Sequence, residues 1–146
     1  MKKLTRNVLL LAGLGFACCS LPASADAAET RIRLSFGAEQ AVAVLDDIPA
    51  SRDFAAMLPL TLEFEDYNST EKISMLPKKL KTAGSPTSCT PQRGAFTYYA
   101  PWGNLAIFHR NFRHSNGLVP LGRVVSGMDA LAAIRDGTKI TIEEIR

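Results

Sequence analysis

Polar and apolar residues alternate from Arg31 to Phe36 and again from Gln40 to Leu45, the period of strands with one buried face, and the loop Gly37-Ala38-Glu39 joins the two runs as a hairpin. After Pro49 the period changes. Phe54, Met57 and Leu58 recur at helical spacing within Arg52 to Leu58, with Ser51 as the expected N-cap, Asp53 at the positive end of the dipole and Pro59 as the stop. Alternation returns over Leu60 to Glu65. Beyond the polar loop Asn68-Ser69-Thr70, the apolar run Ile73 to Leu76 predicts a further strand.

Pro77 to Gly94 contains three prolines, two glycines and several Ser and Thr residues, which predicts a long irregular excursion of a kind that often carries function. Ala95 to Ala100 and Leu105 to Phe108 are rich in aromatic and branched residues and read as strands around the corner Pro101-Trp102-Gly103-Asn104. Leu118 to Val125 reads as another strand, with Pro120 marking an edge or a bulge. Ser126-Gly127-Met128-Asp129 has the form of a capping box opening a helix to Arg135, Gly137 closes it, and Thr138 to Ile145 alternates as a last strand. About eight short strands and two short helices, without regular strand-helix alternation, predict a mainly β fold: a closed antiparallel barrel capped by the two helices.

The first 25 residues stand apart. MKKLTR is basic, VLLLAGLGFACC is apolar over about a dozen residues, and Ala23-Ser24-Ala25 is a small-x-small cleavage frame, with Ala25-Asp26-Ala27 a second one. This is the pattern of an export signal, and its apolar run is shorter than the roughly 20 residues of a membrane span. The expectation is a periplasmic or secreted protein with no stable membrane insertion after signal cleavage. Removing 25 of the 146 residues leaves 121, residues 26–146, the usual size for one domain with one core. Lys2, Lys3 and Arg6 account for the whole excess of 17 basic over 14 acidic residues, so the mature chain is formally neutral and nucleic acid is not an expected partner. The signal also takes Cys18 and Cys19. Cys89 is left without a disulfide partner, in Ser88-Cys89-Thr90-Pro91, where an exposed loop and an incidental thiol are expected.

Three stretches, DYNSTEKISMLPKKL, YYAPWGNLAIF and GLVPLGRV, follow one another in an order that resembles the bacterial cyclophilin-like domain proteins. The resemblance runs from about Arg31 to Arg146, and Gly122 to Leu131 is similar to the segment of true cyclophilins that leads from a late strand into their second helix. It implies an eight-stranded cyclophilin-like barrel. It does not imply a reaction, because these domains share the fold of the prolyl isomerases without reliably sharing their active site.

Phe108-His109-Arg110 matches the Phe-His-Arg of true cyclophilins, in which the arginine donates to the substrate as the X-Pro bond rotates, so Arg110 is the one catalytic candidate. Its position speaks against that role. The tripeptide belongs in the early half of a true cyclophilin, whereas here it directly precedes the GLVPLGRV strand. Phe108 therefore reads as core, and His109 and Arg110 as a solvated strand end. His109 and His114 are five residues apart and a poor start for a metal site, and neither a metal nor a cofactor is expected. Lys78, Lys79 and Lys81, with Glu63, Glu65 and Asp66, read as solvated surface.

Tyr98, Tyr99 and Trp102 are amphipathic, and strand neighbours face opposite ways, so at least one tyrosine should face away from the core. The expected site is a cleft between the Pro77 to Gly94 loop and the Tyr98 to Asn104 corner, with Tyr98, Tyr99, Trp102, Asn104 and Lys78 as its candidate ligand-binding residues. The expected function is binding of a peptide or small-molecule ligand by a monomer, more a binding protein than an enzyme. A peptidyl-prolyl isomerase of exported proteins and a non-catalytic protein-interaction module are the alternatives.

Overall fold

The computed structural model describes residues 29–146. The export-signal reading, which falls on residues 1–25, lies outside the described residues. In chain order the elements are β1 (Thr30–Phe36), β2 (Glu39–Leu45), α1 (Pro49–Ala55), β3 (Leu60–Tyr67), β4 (Glu71–Met75), β5 (Ser88–Cys89), β6 (Ala95–Tyr99), β7 (Asn104–Phe108), β8 (Ser115–Asn116), β9 (Leu118–Ser126), α2 (Met128–Ala132) and β10 (Thr138–Ile145). Eight of the strands close into an antiparallel barrel in the order β1-β10-β3-β4-β7-β6-β9-β2, while β5 and β8 pair only with each other. Closure leaves the barrel without free edges.

Alternation decides what fills it. Ile32, Leu34, Phe36, Ala41, Ala43 and Leu45 point inward from the first hairpin, and Leu62, Phe64, Phe96, Tyr98, Leu105, Ile107, Val119, Leu121, Ile140 and Ile142 complete the core. The Tyr98 hydroxyl is buried and accepts the Leu80 amide at 3.1 Å, the partner such a group requires. Strand β7 is buried on both faces: Leu105 and Ile107 in the barrel, Ala106 and Phe108 in a second cluster with Ile73 and Leu118 on the outer face. Its unbroken apolar run follows from that double burial, because the β5–β8 ribbon and Phe112 cover its outside.

Strand β9 skips a residue against β6 at Leu121 and another against β2 at Val125, so the proline-marked strand is indeed bulged. Next to the first bulge, a Cβ on Gly122 would lie 2.0 Å from the Val44 carbonyl oxygen, which only glycine avoids.

The helices begin differently from the sequence expectation. Helix α1 starts at Pro49, whose fixed φ and missing N–H suit the first turn, with Ile48 as N-cap. Ser51 is inside the helix and buried, and its hydroxyl donates to the Leu121 carbonyl at 2.8 Å. Asp53 accepts the Lys81 amide at 2.9 Å and Ala50 donates to Ser85 Oγ at 2.9 Å, so the start of the long excursion is pinned to this helix. Helix α2 spans only Met128–Ala132, short of Arg135, with Gly127 at φ 77° as N-cap and no side-chain cap. Cys89 is half-buried in β5 and packs against the outer cluster instead of lying in an exposed loop; burial pushes its thiol up from its ordinary range.

Candidate functional site

The register of five strands sets two rows of side chains on the outside of the barrel wall. Tyr67, Glu71 and Phe108 lie directly opposite one another across β3, β4 and β7. Met75, Asn104, Tyr99 and Leu118 do the same across β4, β7, β6 and β9. The first row exists because Asn68 and Ser69, at φ 54° and 53°, close the β3–β4 hairpin in the left-handed conformation that asparagine tolerates well. The corner Pro101-Trp102-Gly103 then folds over the second row, with the Gly103 amide donating to the Tyr99 carbonyl at 2.8 Å.

Between these rows and the Phe112–Asn116 segment lies a cleft of about 420 Å³, within the size range of small-molecule sites. Tyr67, Tyr99 and Trp102 form its aromatic side, Phe108 and Leu118 its apolar base, and Phe112, Arg113 and His114 the facing wall. Trp102 is 51% exposed and Tyr67 43% exposed. The Trp102 ring stands nearly perpendicular to both tyrosines, at 88° and 5.5 Å from Tyr67 and at 77° and 5.4 Å from Tyr99. These are edge-to-face contacts, which leave ring faces free. Across the cleft Phe112 stacks on Phe108 at 6.0 Å, and Arg113 lies 5.0 Å above the Phe112 ring. The facing wall is held from behind by the β5–β8 pair, by Phe112 N donating to Pro91 O at 2.9 Å and by a Thr90 Oγ1 to His114 Nδ1 contact of 3.1 Å.

Glu71 and Asn104 each bring to this cleft a polar group, at least partly withdrawn from solvent, that has no partner among the described residues. Asn104 is buried; its amide nitrogen donates to the Leu105 carbonyl at 2.9 Å, and its Oδ1 accepts from nothing among the described residues. Glu71 is half-buried, and among the described residues its carboxyl makes neither a hydrogen bond nor an ion pair. Burial, and secondarily the charge of Asp66, pushes that carboxyl up to about 7. Among the described residues no group of three or more His, Cys, Asp or Glu side chains is placed to hold a metal.

Behind the wall, on the inward face, the barrel end is plugged by charge. Asp66 Oδ1 lies 3.1 Å from Lys72 Nζ and 2.8 Å from His109 Nε2, and Lys72 also donates to the Ile134 carbonyl at 3.1 Å. Burial acts to push the Asp66 carboxyl up, but the hydrogen bonds and charges of Lys72 and His109 outweigh it and hold the group below its ordinary value. Asp66 and His109 are therefore not the solvated surface their sequence context suggests; the His109 side chain is only 12% exposed.

Comparison with known proteins bears on the whole wall. The family model described as the cyclophilin-like family matches residues 34–143. The chain belongs to the cyclophilin-like family. The fold also matches the solution structure of the hypothetical protein AF2241 from Archaeoglobus fulgidus, with a TM-score of 0.61 and 19% identity over 80% of this chain and 95% of that one. No curated protein matches.

Within this cyclophilin-like barrel, the sequence candidates separate. Tyr99, Trp102 and Asn104 come together at the cleft. Tyr98 does not, because the alternation that turns Tyr99 outward turns Tyr98 into the core. Lys78 is also elsewhere: it is exposed and its Nζ lies 3.9 Å from Asp53 on α1. Nor does the Pro77 to Gly94 loop line the cleft. It supports the facing wall through β5, and the wall itself is Phe112–Asn116. Arg110 is exposed and does not line the cleft either. Tyr67, Glu71 and Phe112 were missed as site residues. The local signal for Tyr67 and Glu71 was the Asn-Ser turn, which sets them opposite each other, and Phe112 had none.

Proposed function

We propose that the protein is an exported cyclophilin-like binding domain that takes a peptide or small organic ligand into the cleft over the β4–β7–β6 wall. The observation that carries this is the pairing of an aromatic cleft with the Glu71 carboxyl and Asn104 Oδ1, both without a partner among the described residues. A buried polar atom without a partner costs about 1–3 kcal/mol, and a ligand that supplies the partner recovers that stability. Export is supported by the basic and apolar leader with its two cleavage frames; N-terminal sequencing of exported protein is expected to begin at Asp26 or Ala28, and an intact Met1 in that fraction contradicts export.

Prolyl isomerisation is the less favoured reading. Rotation of an X-Pro bond needs a donor beside the bound carbonyl, and Arg110 stands outside the cleft. Trp102 is the single tryptophan of the chain, so its emission reports on the cleft directly. A panel of peptides and small organic molecules is expected to include ligands that shift Trp102 emission saturably, while proline-peptide isomerisation stays at the uncatalysed rate. Catalysis abolished by Arg110→Ala without loss of the fold contradicts the reading.

A further inference from the structure

The Glu71 carboxyl and the Asn104 amide oxygen have one chemistry in common. Asn104 gives one of its two amide N–H donors to Leu105 and keeps its buried Oδ1 acceptor free, and a carboxylate such as Glu71 is acceptor and anion together. Around them stand three aromatic rings, with Trp102 perpendicular to Tyr67 and to Tyr99, so that ring faces meet at corners. An anionic ligand would meet Glu71 with Asp66 behind it, and a neutral apolar one would desolvate the Glu71 carboxylate without compensation. A cation answers both parts of the site, because ring faces are negative and attract it. Resting on the reading of this cleft as a ligand site, we propose that it recognises an alkylammonium head group, held against Tyr67, Trp102 and Tyr99 with the Glu71 carboxylate as counter-ion.

The other charges around the cleft are compatible with this assignment. Asp66, Lys72 and His109 form a closed cluster on the inward face of the sheet. Arg113 and His114 stand on the facing wall, where both are exposed to solvent, and the Arg113 guanidinium already lies over an aromatic face, that of Phe112. Neither lowers the Glu71 carboxyl, whose neighbours of consequence are burial and Asp66. The carboxyl sits at about 7, so a proton competes with the ligand: affinity is expected to rise about tenfold from pH 6 to pH 8.

The test is a titration of Trp102 fluorescence with choline, with N-acetyl-lysine methylamide and with 3,3-dimethylbutan-1-ol, the neutral isostere of choline. The expected result is a saturable response to one or both cations, with the alcohol at least about tenfold weaker; whichever cation binds tighter identifies a free amine or a lysyl side chain as the source. Glu71→Gln is expected to weaken cation binding about tenfold and to remove the pH step. An alcohol that binds as well as choline overturns the cation assignment and leaves the cleft a binding site. A pH step that survives in Glu71→Gln overturns it as well. Silence from both cations while other ligands shift Trp102 overturns the cation assignment alone, and silence from every ligand overturns the reading of the cleft as well.

Discussion

His109 Nε2 lies 2.8 Å from Asp66 Oδ1, and the same oxygen faces Lys72 Nζ at 3.1 Å, so a single carboxylate holds both the Lys72 ammonium and the His109 imidazole at the barrel end. The Lys72 side chain is only 6% exposed. Asp66→Ala strands that ammonium and is expected to cost about 3 kcal/mol in chemical denaturation. The acid side follows from the lowered carboxyl: its contribution is present above the ordinary value of 3.8 and is lost as pH falls through the lower folded value. Asp66→Asn should flatten that acid limb.

Glu71 works in the opposite direction. Its folded carboxyl, raised to about 7 from 4.5, keeps a proton that the unfolded chain has already released, so its stabilising effect is full below 4.5 and is lost as pH rises through about 7. Urea midpoints of the wild type are expected to decline over that window, and those of Glu71→Gln to decline less. An equal decline in both would place the titration elsewhere.

Phe108 and Trp102 are six residues apart and do different work. Phe108 is buried in the outer cluster, and Phe108→Ala is expected to cost about 3–5 kcal/mol. Trp102 is half exposed, and Trp102→Ala is expected to cost under about 1 kcal/mol while weakening ligand binding. Far-ultraviolet circular dichroism melts of the two variants check the contrast.

Gly117 holds the corner against the facing wall. Its φ is 80°, its carbonyl accepts the Ala100 amide at 2.9 Å, and a Cβ there would lie 2.9 Å from the Pro101 ring. Gly117→Ala should cost at least about 1 kcal/mol and shift the Trp102 emission maximum, because the ring rides on the displaced corner.

Most of the barrel was legible because a strand with one wet face writes its burial as alternation, as Arg31–Phe36 and Thr138–Ile145 do. The Leu105 to Phe108 run was legible as a strand with Phe108 in the core, but not what covers its outer face: β5 and β8 are two residues each and carry no period. Of the neighbours Tyr98 and Tyr99, alternation says that one faces in, and only the pairing of β6 with β7 says which. Asp66 read as solvated surface, and Glu71, across the turn from it, was not singled out. Their separation, one into the cleft and one into the barrel end, depends on non-local register. Ser51 failed as a cap for a tertiary reason, since the Leu121 carbonyl takes its hydroxyl.

Under the proposed function, the outer wall around Trp102 is where ligand binds. Nuclear magnetic resonance shift mapping of residues 26–146, during titration with the ligands that shift Trp102 emission, is the test. The expected result is saturable change concentrated on Tyr67, Glu71, Tyr99, the Trp102 indole, the Asn104 side-chain amide and Phe112. Changes centred instead on the separate depression of Val44, Asp46, Asp47 and Arg123, or no saturable change on the wall, contradict it.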